Sequence, residues 1–190
     1  MTEKEIRRRL RKNLSPGRFR HTLNVARGAE KLARRHGADP DKARLAGLLH
    51  DCGKEWTVSR QAAAVKKWRL PVPEAKFIFE CGRLKLLHAY VSAALAEREF
   101  GVKDPAVLAA VRAHTLGADK MSLLARILYI ADFASSERKG DEIRLVRRLA
   151  KKNLDDAFRE ALRWKLLYVL NDHGPIHPLA VRLWNRWRPM

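Results

Sequence analysis

The chain has 190 residues, 46% of them hydrophobic, which is enough to bury a sizeable core and fits one domain. Its 40 Lys and Arg against 21 Asp and Glu give a formal charge of +19, a field that gathers polyanions such as nucleotides, RNA or acidic lipid without choosing among them. Two cysteines exclude a disulfide framework and a CxxC metal knuckle, and no stretch reaches the ~18 apolar residues of a spanning helix or has the apolar core of a secretory leader, so a soluble cytoplasmic protein with no membrane partner is expected.

Thr2 and Glu5 have the form of a capping box, and Ile6, Leu10 and Leu14 give a short amphipathic helix that Ser15-Pro16-Gly17 is expected to break. The next predicted helix starts at Arg18 and closes at Gly37. Its apolar stripe is Val25, Ala29 and Leu32, and His21 lies one turn before Val25, so His21 points inward. Asp39-Pro40 is a good N-cap and first-position pair for the helix that follows.

That helix carries the central motif, ARLAGLLHDCGKE from Ala43 to Glu55. Ala43, Ala46, Gly47 and His50 share a face of small residues on which another helix can lie closely, and His50 with Asp51 leaves the core where the backbone turns. A His-Asp pair taken alone is more often a satisfied core histidine beside a surface carboxylate. The rest of the chain changes that weighing.

Thr57 or Ser59 can cap a helix through Trp68, and Pro71 and Pro73 mark a loop. Leu84 to Gly101 reads as one helix with His88 near its start. Asp104-Pro105 repeats the earlier start signal, which puts His114 and Thr115 at the C-terminal end of that helix. Ser122 caps an almost wholly apolar, hence central, helix that contains Asp132. A buried carboxylate there needs a cation or strong donors from elsewhere in the fold, because none stands at helical spacing. Two amphipathic helices follow, around Glu142 to Lys151 and Leu154 to Leu170, then a Pro178 restart and a tail with Trp184 and Trp187 among arginines. The pattern has no strand-like alternation and no repeat, so an all-α fold is expected.

His21, His50 with Asp51, His88, His114 and Asp132 each lie on the inward face or at the end of a different predicted helix. Four histidines and two carboxylates supply enough nitrogen and oxygen ligands for two divalent metals that share a carboxylate. Mixed imidazole and carboxylate ligation suits iron or manganese better than magnesium, with zinc as an alternative.

With these residues the sequence resembles the HD-domain metal phosphohydrolases, through H…HD…D at His21, His50-Asp51 and Asp132, and more narrowly the bacterial YqeK-type symmetrical bis(5'-nucleosyl)-tetraphosphatases. The matching pieces are Arg18 to Ala26, Leu45 to Glu55, Leu86 to Ala94, Val111 to Gly117, Met121 to Asp132, and Arg138. The resemblance implies a single HD-domain helical bundle over 18–171, preceded by an N-terminal helix and linker over 1–17 and followed by a basic helical tail over 172–190 packed on the same domain.

By the same resemblance, His21, His50, Asp51 and Asp132 hold one metal, and Asp51, His88 and His114 the second. Asp51, Lys54 and Asp132 are the implied catalytic residues, and Arg18, Lys54, Thr115 and Arg138 the implied substrate contacts. The implied reaction is cleavage of diadenosine tetraphosphate into two ADP by a metal-bound hydroxide. The family pattern also has an acidic residue where this chain has Ser135 and an arginine where it has Ala118. Competing readings are an HD-domain nucleotidase or phosphodiesterase acting on another nucleotide and, in a different class, a noncatalytic basic protein bound to RNA or the ribosome. Monomer and homodimer stay open.

Overall fold

A proline directly after a capping residue opens four of the helices, and these signals organise the chain. The computed structural model describes residues 1–188; Pro189 and Met190, the end of the expected tail, lie outside the described residues. All regular structure among the described residues is helical: α1 (Glu3–Asn13), α2 (Pro16–His36), α3 (Pro40–Leu49), α4 (Val58–Lys67), α5 (Ala75–Glu80), a 3-10 turn (Leu84–Leu87), α6 (His88–Arg98), α7 (Pro105–Ala113), α8 (Leu123–Phe133), α9 (Asp141–Ala150), α10 (Leu154–Asn171) and α11 (Pro178–Trp187). The protein is an all-α bundle, and no helix is long and apolar enough to cross a membrane.

The capping box of Thr2 and Glu5 forms as expected, and α1 buries Ile6 and Leu10 in the common core. Ser15-Pro16 is a start signal rather than a break: the Ser15 side chain accepts from the Arg18 amide, Pro16 opens α2, and only Leu14 and Ser15 separate α2 from α1. Gly37 closes α2 in the left-handed conformation at φ 73°.

The small face of α3 does what its composition implies. A Cβ added at Gly47 would stand 2.5 Å from Ala26 Cα, so the backbones of α2 and α3 touch where the two helices carrying His21 and His50 cross. α8 lies behind them, packed on α2, α3 and α7, and α10 lies on α8 and α9. Ile127, Leu128, Tyr129, Ile130 and Phe133 of α8 are all buried, as expected for a central helix.

Two segments differ from expectation. The loop marked by Pro71 and Pro73 contains the short helix α5. The helix expected from Leu84 to Gly101 is a 3-10 turn up to Leu87, with α6 beginning at His88. Tryptophans of the tail serve packing rather than an exposed platform: Trp187 meets Phe158 edge to face at a centroid distance of 5.0 Å, and Leu179 and Leu183 are buried.

Candidate metal centre

His50, His88 and His114 are presented by one device. Each is the residue that ends a helix: α3, the 3-10 turn and α7 respectively. Their Nδ1 atoms reach back to the carbonyl oxygen three residues earlier, at 2.7 Å for Gly47, 2.6 Å for Lys85 and 2.7 Å for Val111. A carbonyl only accepts, so each Nδ1 carries the proton and satisfies a helix-end carbonyl, which leaves each Nε2 as an unprotonated lone pair. Burial lowers the pKa of His50 to about 4 and that of His88 to about 3, which keeps both rings neutral. His21, from α2, has its Nδ1 bonded to Glu137 Oε1 and turns Nε2 the other way.

The four Nε2 atoms converge on Asp51. Its Oδ2 lies 3.5 Å from His50 Nε2 and 4.0 Å from His21 Nε2. Its Oδ1 lies 3.3 Å from His88 Nε2 and 3.5 Å from His114 Nε2. One carboxylate thus faces two histidine pairs with one oxygen each. Within the pairs the Nε2 atoms are 3.3 Å apart for His21 and His50 and 3.1 Å apart for His88 and His114. Asp132 joins the first pair, with Oδ1 3.3 Å from His21 Nε2 and 4.0 Å from His50 Nε2.

Lone pairs of His88 and His114 facing each other at this range repel, and the buried Asp51 Oδ1 between them has no hydrogen-bond partner. Such a set of acceptors closes on cations. Two buried groups have their ligand atoms within 4.8 Å of one another, His21 with His50 and Asp51, and Asp51 with His88 and His114. The donors are imidazole and carboxylate only; the neighbouring Cys52 thiol donates to the Ser92 carbonyl at 3.4 Å, and burial pushes its pKa up. This chemistry fits two divalent ions, and the C-terminal ends of α3 and α7 bring the negative pole of each helix to the same place.

Cations stand around the acceptors. Arg18 Nη1 is 2.8 Å from Asp51 Oδ2, and Arg138 Nη2 is 3.2 Å from Asp132 Oδ1. Lys54 Nζ lies 3.0 Å from His88 Nε2, and burial lowers its pKa. Thr115 Oγ1 is 3.1 Å from His88 Nε2 and 3.0 Å from His114 Nε2. All the residues singled out from the sequence are therefore gathered in one place.

Two further residues belong to it that sequence reasoning missed. Lys165 of α10 supplies the cation that Asp132 needs: its Nζ is 3.6 Å from Asp132 Oδ2 and donates to the His114 carbonyl at 2.9 Å, and burial brings its pKa down to about 8. The available signal was a lysine within the apolar stripe of Phe158, Ala161 and Leu162. Glu137 holds His21, accepts from Asn24 Nδ2 at 2.8 Å and from Ser135 Oγ at 2.8 Å, and has its pKa lowered to about 2: burial acts to raise it, but the hydrogen bonds from His21, its own backbone, Ser135 and Asn24 together outweigh burial.

The HD domain family model matches residues 18–135. The chain is 32% identical to the symmetrical bis(5'-nucleosyl)-tetraphosphatase of Halalkalibacterium halodurans, over 92% of this chain and 90% of that one. It is 30% identical to the symmetrical bis(5'-nucleosyl)-tetraphosphatase of Bacillus subtilis, over 94% of this chain and 93% of that one. The crystal structure of a predicted HD superfamily hydrolase involved in NAD metabolism from Clostridium acetobutylicum superposes with a TM-score of 0.91 at 28% identity, covering 98% of this chain and 97% of the other. With the matched segment running from Arg18 through Asp132, and so over every histidine and carboxylate that meets at Asp51, the chain belongs to the HD-domain hydrolases and, among them, to the family of the symmetrical bis(5'-nucleosyl)-tetraphosphatases.

Proposed function

We propose that this protein hydrolyses diadenosine tetraphosphate symmetrically to two ADP, using two divalent ions, iron in the first instance with manganese or zinc as alternatives. The observation that carries this reading is the split of Asp51 between two buried histidine pairs, one oxygen to each. His21, His50, Asp51 and Asp132 would hold one ion, and Asp51, His88 and His114 the other. Bound there, a pair of divalent ions supplies an activated water and neutralises charge on phosphoryl oxygens.

The protein's own groups do the rest. Arg18 and Arg138, partly exposed and paired with Asp51 and Asp132, would bind the phosphate chain. Lys54 approaches as a point charge from the His88 side. Asp132, held by Lys165, would orient the attacking water. The leaving diphosphate is a stable anion, so the departing oxygen needs charge neutralisation more than a proton, and this rim of cations provides it. Thr115 offers a hydroxyl at the His88 and His114 end.

A noncatalytic RNA-binding role would leave the buried acceptor cluster without a purpose, whereas the free thiols Cys52 and Cys81 accord with cytoplasmic work. The test is incubation of the iron- or manganese-loaded protein with diadenosine tetraphosphate and separation of the products. ADP alone is expected. ATP with AMP, or no cleavage with any metal, overturns the proposal.

A further inference from the structure

His88 and His114 reach Asp51 from two separate stretches of chain, and the last helix is fastened to both. The first stretch runs from Glu74 through α5 and the 3-10 turn to His88. Three contacts tie it to the C-terminal part of the chain. Arg83 Nη1 lies 3.5 Å from Asp172 Oδ2, Phe77 packs edge to face on His177 with 5.3 Å between the rings, and Glu74 Oε1 lies 2.7 Å from Arg182 Nη2. His177 is itself the N-cap of α11, accepting the Leu179 amide hydrogen at 3.2 Å, so the grip is on the start of that helix. The second stretch is the turn from Thr115 to Asp119, directly after His114. Arg182 Nε donates to Asp119 Oδ1 at 3.1 Å, and Arg186 donates to the Asp119 carbonyl. Gly117, at φ 84°, lies so close to Leu183 of α11 that no Cβ fits between them.

One guanidinium therefore bridges two carboxylates, Glu74 from the stretch before His88 and Asp119 from the stretch after His114. Glu74 needs such a hold. Its backbone is left-handed at φ 41°, which is unfavourable for a residue with a Cβ, and no side-chain hydrogen bond caps α5 there. With six residues, α5 is too short to be stable by itself. An isolated exposed ion pair contributes little to stability, and the Arg182 side chain is about half exposed. What two pairs on one planar group supply is a fixed separation between their partners. The support behind them is firm, because Leu179 and Leu183 bury the inner face of α11 in the core.

We propose that Arg182 is a positioning residue for the His88 and His114 pair: by holding Glu74 and Asp119 on one side chain it sets the separation of the two imidazoles that face Asp51 Oδ1, and with it the affinity of that pair for its ion. The inference rests on the two-ion reading above. His21 and His50 come from α2 and α3, whose backbones touch at Ala26 and Gly47, so their spacing is set by that crossing and not by α11. On this account the C-terminal helix serves one of the two ion sites and leaves the other alone.

The experiment titrates manganese by calorimetry into the full-length metal-free protein and into its Arg182→Ala variant, and follows solvent exchange of the histidine ring protons by NMR in both before metal is added. The unaltered protein should take up two ions. In Arg182→Ala one ion should bind as before and the other about three- to tenfold more weakly, the effect of losing two exposed ion pairs. Without metal, the Nδ1 protons that His88 and His114 donate to the Lys85 and Val111 carbonyls should exchange faster in the variant, while the His50 proton on the Gly47 carbonyl keeps its rate. Asp119→Asn removes the charge of one partner, should show the same selectivity in smaller measure, and replaces Arg182→Ala should that variant fail to fold. Both ions bound with unaltered affinity, or both weakened equally, in a folded variant overturns the assignment, even if the melting temperature falls. If the unaltered protein takes up fewer than two ions, the two-ion reading fails by itself. Ring-proton exchange then decides the role of Arg182 alone, and equal rates for His88 and His114 in both proteins overturn it.

Discussion

Glu137 and His21 are hydrogen-bonded, Oε1 to Nδ1, across the space between the α8–α9 connection and α2. The contact fixes which ring nitrogen of His21 faces Asp132 and Asp51, and Asn24 and Ser135 hold the carboxylate in place. An orienting carboxylate behind a histidine ligand raises its basicity and restricts its ring. Glu137→Ala should therefore weaken metal binding at the His21 and His50 pair by about 10–100-fold, with Glu137→Gln less affected because its amide oxygen still accepts from Nδ1. Chelator competition on the folded variants measures this. Metal affinity equal to that of the unaltered protein would assign Glu137 to anchoring the connection alone.

The crossing of α2 and α3 gives a stability prediction with an internal control. A methyl at Gly47 meets backbone, 2.5 Å from Ala26 Cα and 2.8 Å from Ala26 N, which cannot move without displacing α2. Gly47→Ala should cost about 1–3 kcal/mol and, by separating His21 from His50, lower metal affinity as well. At Gly28 a methyl meets only Ala131 Cβ at 3.7 Å, an ordinary contact. Gly28→Ala should gain roughly 0.5–1 kcal/mol from reduced freedom of the unfolded chain. Chemical denaturation of both variants decides the point, and equal effects would mean that the helices do not touch as described.

These two positions also show what the sequence could and could not tell. The small face of Ala43, Ala46 and Gly47, the proline-marked helix starts and the inward histidines are local patterns, so the bundle and the gathering of the four histidines around Asp51 were legible. Lys165 was not, because its purpose depends on α10 lying across Asp132, a relation that helical spacing along the chain does not encode. Glu137 was hidden for a similar reason: a carboxylate in a connection has no periodicity to betray it. The break at His88 escaped because Leu84 to Leu87 suits either kind of helix, and it is the His88 ring, bonded to the Lys85 carbonyl three residues back, that takes up a helix-end acceptor there.

His177 gives a pH dependence away from the metal centre. Burial lowers its pKa from 6.5, so the unfolded chain takes up this proton more readily than the folded one. The stabilisation is complete above pH 6.5 and is lost as the pH falls toward the depressed folded value, since the protonated ring can no longer accept from Leu179. His50 and His88 act in the same direction from the same onset near pH 6.5 in metal-free protein, so the comparison must be with His177→Asn, which caps without titrating. Between pH 7 and pH 5 the melting temperature of the unaltered metal-free protein should fall more steeply than that of the variant. Parallel curves would remove His177 as the source.

Lys54 separates a phosphohydrolase from a fold that merely binds metal. It lies in the tight turn after Asp51, its amide donating to the Asp51 carbonyl at 3.0 Å, so it does not cap the end of α3 with its side chain. Its Nζ instead meets His88 Nε2 at 3.0 Å and Nδ1 at 3.2 Å. Nζ is nearly equidistant from the two ring nitrogens and so lies against the ring rather than along the Nε2 lone pair, which leaves the ammonium available to meet a phosphate. Lys54→Met keeps most of the apolar stem and removes the charge. If the charge acts on the phosphate in the transition state, the variant should keep metal and fold yet lose on the order of 100-fold in turnover, comparable with removing one preorganised donor. If Lys54 only shields the His88 ring, the melting temperature should change and turnover should not. Metal content, melting temperature and diadenosine tetraphosphate cleavage measured on one Lys54→Met preparation distinguish these, and full turnover would end the catalytic role of Lys54.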